Sequence, residues 1–269
     1  MKQVIYIFLL FTSQLYAVHI GTGKHLPDGP YIANYVVHTT ADKKTNSAGD
    51  SIVENFGFTQ TQNIFRPLYY KGNFVYQMLI PYKSQKSSLL QQEDIGIGDI
   101  KLGIGYFIPN SFDKTELGVV GNIEFPTGEF DKNRVINNGS GRYALNLESY
   151  IHKVIERIIW DGSVKYNYNF KNHDNNIKNG DKFLVESSFA YIIKPTFLIG
   201  PNISYSYSLD NEFNGVRELN TGTSKYTVGL EAYWAQSKKT TLLVGFFKDI
   251  NVKNTLDTKT FLLRIFIKI

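Results

Sequence analysis

The chain ends in Phe261-Leu262-Leu263-Arg264-Ile265-Phe266-Ile267-Lys268-Ile269. Every second residue of this stretch, from Phe261 onward, is large and apolar, and two of the residues between, Arg264 and Lys268, are charged. A period of two is typical of a β-strand with one apolar face and one polar face. Such a strand closes either a soluble sandwich or a membrane barrel. The same alternation recurs along the chain and predicts the second, an all-β transmembrane antiparallel β-barrel.

Twelve strand-like segments follow position 28, and several have the ~9–11 residues that a tilted strand needs to cross a bilayer. They are predicted at 30–41, 51–61, 72–83, 95–108, 115–126, 142–154, 157–170, 182–194, 197–209, 224–235, 239–250 and 257–269. Long connections rich in Asn, Gly, Asp and Lys alternate with short joins, as in outer-membrane barrels with long outside loops and tight periplasmic turns. The long ones are predicted at 42–50, 84–94, 127–141, 171–181, 210–223 and 251–256, and the short ones at 109–114, 155–156, 195–196 and 236–238. The stretch 62–71 breaks this rule because it is long for a turn.

Composition narrows the functional classes. The 269 residues include 18 Tyr and 19 Phe but no Cys, which excludes a disulfide framework, a thiolate metal site and a Cys nucleophile. The formal net charge is +5, and the basic residues are scattered, so nucleic acid is not predicted as a partner.

The N-terminus has the pattern of a secretory signal peptide. Lys2 supplies the positive charge, an apolar stretch follows from Val4 to Phe11, and Leu15-Tyr16-Ala17 offers a cleavage site after Ala17. An N-terminal membrane anchor is the alternative, but the apolar stretch is short for a spanning helix of ~20 residues. The predicted organisation is a signal peptide at 1–17, a short periplasmic segment at 18–29 and an outer-membrane barrel at 30–269.

Two further motifs are more specific than the alternation. They are Asp94-Ile95-Gly96-Ile97-Gly98-Asp99-Ile100-Lys101-Leu102-Gly103-Ile104-Gly105-Tyr106, and Asn122-Ile123-Glu124-Phe125-Pro126-Thr127-Gly128-Glu129-Phe130 followed by Gly139-Ser140-Gly141. With this spacing the chain, from about 27 to 269, resembles the outer-membrane family named for the meta-cleavage pathway of phenol degradation. The resemblance implies a barrel, and the family name implies transport of a small hydrophobic or aromatic solute.

Strand parity predicts which charged side chains face the lumen. The candidates are Asp99, Lys101, Glu124, Glu148, His152, Asp161, Lys165, Glu186, Glu231 and Arg264. Both signs are present, which argues against a strongly ion-selective pore. Two interpretations stay open for these residues, an ion-pair lattice that holds the lumen together and a polar path for a solute.

An enzyme is not predicted. A barrel lipase needs a Ser with a His in reach and a third group that orients the His. The five histidines are scattered, His38 and His152 are expected to face inward, and no matching Ser arrangement occurs. No metal-ligand spacing appears either, so neither a cofactor nor a metal is expected.

The sequence therefore favours a transporter or channel for a small solute in the outer membrane of a Gram-negative bacterium. A barrel of twelve strands is narrower than the porins that leave an open aqueous channel. The alternative is a structural or surface-interaction barrel without transport activity. Outer-membrane lipid and the barrel assembly machinery are the expected partners, although the C-terminal Ile269 replaces the aromatic residue that ends many such barrels.

Overall fold

The computed structural model describes residues 18–109 and 114–269, so the signal peptide predicted at 1–17 and most of the join at 109–114 lie outside the described residues. Within the described ranges, twelve antiparallel strands form a closed barrel. The strands are β1 (Gly29–Thr45), β2 (Phe58–Lys71), β3 (Phe74–Ser87), β4 (Ile100–Ile108), β5 (Thr115–Phe125), β6 (Ala144–Ile155), β7 (Ile158–Asn169), β8 (Lys182–Lys194), β9 (Phe197–Ser208), β10 (Ser224–Ala235), β11 (Thr240–Lys253) and β12 (Leu256–Lys268).

The barrel closes between its first and last strands. β1 pairs with β12 from Tyr31 opposite Lys268 to Lys44 opposite Leu256, and its other edge pairs with β2. A closed ring leaves no sheet edge whose N–H and C=O groups would lie unpaired in hydrocarbon. Among the described residues, no helix has the length and apolarity needed to cross a membrane. The predicted fold, a twelve-stranded antiparallel barrel, is confirmed.

The two faces of the wall follow the predicted parity in β6, β7 and β10, but not in β1. In β6, Leu147 is 60 % exposed on the outside of the barrel, whereas the next residue, Glu148, is 7 % exposed and points inward. Exposed apolar side chains continue around the wall and form an apolar belt: Leu102, Ile104, Val119, Ile123, Leu145, Leu147, Val164, Val185, Ile203, Val228 and Leu230. This belt is the surface expected to meet lipid.

The belt gives a direct test of the assigned faces. Leu147→Arg should strongly reduce the amount of folded barrel, because a lipid-facing Arg near mid-bilayer costs roughly 2–4 kcal/mol. Asn146→Arg should assemble, because Asn146 lines a cavity inside the barrel. The measurement is the fraction of each variant that shows heat-modifiable migration in outer-membrane extracts. Equal fractions for the two variants would contradict the assignment.

The second strand differs from the prediction. It was expected at 51–61 with a long join at 62–71, but β2 covers all of that join and the turn to β3 is the pair Gly72-Asn73. Gly72 has a φ of +55°, a conformation that glycine adopts without steric cost. The alternation was hidden because the inward residues of β2 are mixed in polarity, with Gln62 and Arg66 among Ile64, Leu68 and Tyr70. With this correction, the connection between β2 and β3 is short, as the predicted alternation of short and long joins requires.

Two other connections are corrected. The predicted fourth strand, 95–108, is split into Gln92–Ile97 and β4 by Gly98-Asp99. Against β3, Tyr82 is opposite Ile97 and Leu79 is opposite Lys101, so β4 carries one extra residue, which is a β-bulge. The connection expected at 251–256 is only Asn254-Thr255, because β11 and β12 both extend into it.

Sidedness remains a prediction, and the exposed loop positions define how to test it. An epitope inserted at Lys132 or Asn214, both exposed in long loops, should be accessible on whole cells, whereas one at Lys194, beside a short turn, should not. Asn138 is unsuitable for this insertion because it is only 1 % exposed. Antibody labelling of intact and permeabilised cells is the measurement. If only the epitope at Lys194 were labelled on intact cells, the short turns would be extracellular and the predicted topology would be inverted.

Candidate functional site

The candidate site is the lumen. All ten lumen candidates lie on the inner face of the wall or at its bulge. Seven of them are buried: Asp99, Glu148, His152, Asp161, Glu186, Glu231 and Arg264. The side chains of the other three, Lys101, Glu124 and Lys165, are 12 %, 15 % and 12 % exposed. This placement does not test whether they line a solute path, which stays a prediction. The structure divides them into separate groups.

The first group is an ion-pair cluster on three neighbouring strands. Lys165 Nζ lies 2.6 Å from Glu148 Oε1 and 2.9 Å from Glu186 Oε2. Lys165 and Glu148 are directly opposite each other in the ladder between β6 and β7, and Glu186 is provided by β8. One lysine is thus shared by two carboxylates inside the barrel.

The second group holds a loop against the wall. Lys101 Nζ and Glu124 Oε2 are 2.6 Å apart on β4 and β5. Next to them, the Asp99 carboxylate accepts hydrogen bonds from the backbone N–H of Gly128 at 3.0 Å and of Ser140 at 2.7 Å. A Cβ at Gly128 would lie 2.7 Å from the Gly139 Cα, so this approach requires glycine. The two sequence motifs therefore meet at the bulge, where Asp99 binds the loop that connects β5 to β6.

The third group binds the chain's own N-terminal segment, residues 18–28, which was predicted to be periplasmic. This segment instead enters the barrel from the end that carries the short turns. Glu186 accepts from the backbone N–H of Val18 at 3.0 Å, and Asp161 accepts from that of Gly21 at 2.8 Å. Glu231 accepts from the N–H of Ile20 at 3.2 Å. Three of the carboxylates that were expected to face the lumen therefore bind backbone N–H groups of the segment, which have no strand partner.

Histidine and arginine side chains complete these contacts. His19 Nδ1 is hydrogen-bonded to Glu231, and His152 Nδ1 lies 2.7 Å from Asp161 Oδ1. Arg264 donates to the Ile20 carbonyl at 2.9 Å and to Thr22 Oγ1 at 3.1 Å. The wall therefore offers carboxylates to the donors of the segment and a guanidinium to its acceptors.

Apolar packing closes the short-turn end of the lumen. Ile20, 1 % exposed, is part of an apolar cluster with inward side chains of the wall, and Leu26 packs against that cluster. At the entrance, Asp28 accepts from the Gly72 N–H at 2.9 Å, and His25 stacks on Phe107 with ring centroids 4.9 Å apart. The N-terminal segment thus occupies the lumen at the short-turn end.

The sequence did not predict a polar cavity that remains beside the N-terminal segment. Arg66 donates to Tyr35 Oη at 3.0 Å and to Gln77 Oε1 at 3.0 Å, and Gln77 donates to Asn122 Oδ1 at 2.6 Å. Tyr150 and Glu148 line the same cavity. Arg66 was missed because it lies in the stretch 62–71 that was taken as a join.

A second cavity lies at the long-loop end and is basic. Arg142, Lys182 and Lys225 line it. Lys225 Nζ is 2.5 Å from Asp249 Oδ2, and Arg142 donates to Asn169 Oδ1 at 3.1 Å. These residues lie near strand ends, where the alternation passes into loop sequence, so parity carried no signal for them.

The histidines on the lumen contact carboxylates, and none of the contacts given above joins a histidine to a serine. His19 and His152 bind carboxylates. His38, expected to face inward, is exposed on the outer face and contacts Thr61 Oγ1 at 3.0 Å. The inward positions of β1 are the odd-numbered ones, such as Tyr35 and Val37, and this reverses the assignment of His38.

Comparison with models of known protein families identifies the family of this chain. Residues 41–265 match the family model described as "Putative MetA-pathway of phenol degradation". The chain belongs to this family. No match was found among the curated proteins. The resemblance inferred from the motifs is confirmed.

Solved structures share the fold. The COG4313 outer membrane channel from Pseudomonas putida F1 has a TM-score of 0.86 and 20 % identity, with 94 % of this chain and 100 % of that chain covered. The NanC porin has a TM-score of 0.52 and 8 % identity over 88 % of this chain and 100 % of that one. The beta domain of the Bordetella autotransporter Brka has a TM-score of 0.53 and 8 % identity, with 90 % of this chain and 99 % of that chain covered. These likenesses agree with the closed barrel and its apolar belt, and they show that the chain has the fold of β-barrels from outer membranes.

Proposed function

We propose that this family member is a channel through which a small aromatic or hydrophobic solute crosses the outer membrane, without chemical conversion, and that the N-terminal segment closes it at rest. The observation that carries the proposal is a lumen filled at one end by a segment of the chain itself. The proposal includes removal of residues 1–17 as a signal peptide, contact of the apolar belt with lipid, and insertion by the barrel assembly machinery.

The mode of attachment supports a closing element that can move. In the described ranges the segment forms no strand pairing with the wall, and most of its polar contacts are hydrogen bonds to wall side chains such as Asp161, Glu231 and Arg264. Hydrogen bonds to charged side chains contribute about 1.5–3 kcal/mol each, but water that enters with the displaced segment can replace them one by one. Displacement of the segment would connect the cavity beside Arg66 to the short-turn end.

The lining of the lumen supports the solute class. The inward aromatic rings include Tyr31 and Phe266, with centroids 5.5 Å apart, and Tyr70 and Phe107, with centroids 6.0 Å apart. Arg66 and Gln77 supply polar groups in the adjoining cavity. A ring with one hydroxyl could exchange contacts with the rings and with these polar groups, and the family description, which names phenol degradation, points to the same chemistry.

The test compares the wild type with a variant that lacks residues 19–27. Both are expressed in cells that lack their own porins. The lipopolysaccharide leaflet of these cells resists hydrophobic solutes, so uptake of a fluorescent arylamine reports passage through the barrel. The wild type should exceed the empty-vector control several-fold, and the deletion should raise uptake further. Liposome swelling with a sugar, as a polar control, should respond chiefly to the deletion.

The alternative is a structural or surface-interaction barrel. If neither the wild type nor the deletion variant admits the arylamine or the sugar, and both are folded by heat-modifiable migration, the channel proposal fails and the structural function replaces it.

A further inference from the structure

The inner end of the N-terminal segment is Val18, and the wall binds both its backbone N–H and its backbone carbonyl. Val18 is 0 % exposed. Its backbone nitrogen donates to Glu186 Oε2 at 3.0 Å, and its carbonyl accepts from Asn202 Nδ2 at 2.6 Å. This is a specific site for one residue, formed by β8 and β9 inside the barrel.

The charges around this site are unequal. Glu186 and Glu148 share Lys165, and Glu186 also accepts from the neutral hydroxyl of Ser163 at 3.2 Å and is attracted by Lys182 of the same strand. A carboxylate inside a barrel is stabilised when it is paired and hydrogen-bonded. This cluster of two carboxylates and one ammonium would be balanced by one further cation at the Val18 nitrogen.

Signal-peptide cleavage would supply that cation. The predicted cut after Ala17 hydrolyses the Ala17–Val18 peptide bond. Water adds across the bond, Ala17 leaves with a carboxylate, and the Val18 nitrogen takes up a proton to become an α-ammonium. The neutral N–H donor beside Glu186 thereby becomes a charged group with three donors.

We infer that the α-ammonium of mature Val18 is the second cation of the Glu148–Lys165–Glu186 cluster, so that processing of the precursor creates the ion pair that anchors the N-terminal segment in the lumen. Before the cut the carboxylate attracts only a neutral N–H, whereas after the cut it also attracts a full positive charge, so the hydrogen bond becomes an ion pair and is strengthened. The anchor does not depend on whether the lumen conducts a solute.

The position of the cut is critical for this anchor. Each residue added before Val18 would move the ammonium by up to ~3.6 Å along the chain, which exceeds the tolerance of a hydrogen bond. The new residue would also need space next to a residue that is fully buried. The cleavage site and the Glu186 carboxylate are therefore matched to each other.

The experiment uses the full-length protein, exported and purified from outer membranes. Its intact mass should equal that of residues 18–269. Acetylation of amines at neutral pH, followed by peptide mass spectrometry, then compares the rate at the Val18 amine in the folded barrel with the rate in denaturant. We expect protection by at least about tenfold in the folded state, because the amine reacts only when the segment leaves its site.

Glu186→Gln should remove most of that protection, whereas Glu116→Gln should retain it. Glu116 is a matched control because it accepts from the backbone of His25 in the same segment but lies away from Val18. A mature chain that begins elsewhere than Val18, a Val18 amine as reactive in the folded barrel as in denaturant, or equal protection in the two variants would each overturn the inference. The first two outcomes need only the wild type, so they hold even if a variant fails to fold, and none of them bears on the uptake test above.

Discussion

A disulfide between Gly23→Cys and His152→Cys is expected to abolish solute uptake when oxidised and to restore it when reduced. A Cβ built at Gly23 would lie 3.3 Å from the Cβ of His152. Disulfides have Cβ atoms roughly 3.5–4.5 Å apart, so a small shift of the segment permits the bond. The chain contains no Cys, and the pair therefore has no competing thiol. The bond would fix the N-terminal segment to β6 and prevent its displacement.

The measurement is arylamine uptake in cells without porins, before and after addition of a membrane-permeant thiol reductant. The single variants Gly23→Cys and His152→Cys are the controls, and their uptake should not respond to oxidation or reduction. The double variant should be folded in both states, because Asp161 keeps its contact with the Gly21 N–H. If mass spectrometry shows the bond and uptake is still that of the single variants, the segment does not need to move, and the closing role assigned to it is wrong.

The wall could be predicted from the sequence because its rule is local. In β6 and β7 most outward residues are apolar and most inward ones are polar, so a period of two identified both the strands and their faces. The rule failed in β2, where the inward residues Ile64 and Leu68 are as apolar as the outward Phe65. These inward residues are apolar because they join the cluster that contains Ile20. The failure thus marks the part of the lumen that the N-terminal segment fills.

The N-terminal segment could not be predicted because its contacts are distant in sequence and carry no pattern. Val18 meets Glu186, 168 residues away, and Ile20 meets Glu231, 211 residues away. The partners in the segment are backbone groups, which every residue has. Parity could therefore identify the inward carboxylates but not what they bind. Parity also could not give the pairing among the candidates, such as the ion pairs Lys101–Glu124, Lys165–Glu148 and Lys165–Glu186.

Lys165→Met is expected to cause a large loss of barrel stability, because it leaves two carboxylates facing each other. Glu148 and Glu186 lie within 2.9 Å of the Lys165 ammonium, and the two residues are 7 % and 3 % exposed. Removal of one partner from a buried ion pair costs about 3–5 kcal/mol. The midpoint of urea unfolding in detergent should fall accordingly. The N-terminal segment should also loosen, since Glu186 would then repel Glu148 rather than hold a fixed position beside Val18.

The matched comparison separates this charge effect from the loss of a long side chain. Lys239→Met removes the same ammonium from an exposed turn and should change the free energy of unfolding by no more than about 0.5 kcal/mol. The triple variant Lys165→Met, Glu148→Gln, Glu186→Gln keeps the shape of the cluster but removes all three charges. It should recover much of the stability lost in Lys165→Met, because the two buried carboxylates that face each other in the single variant are no longer charged. If Lys165→Met unfolds at the same urea concentration as the wild type, the cluster is too hydrated to stabilise the barrel. If the triple variant is as unstable as the single one, the stability lost in Lys165→Met comes from packing rather than from charge.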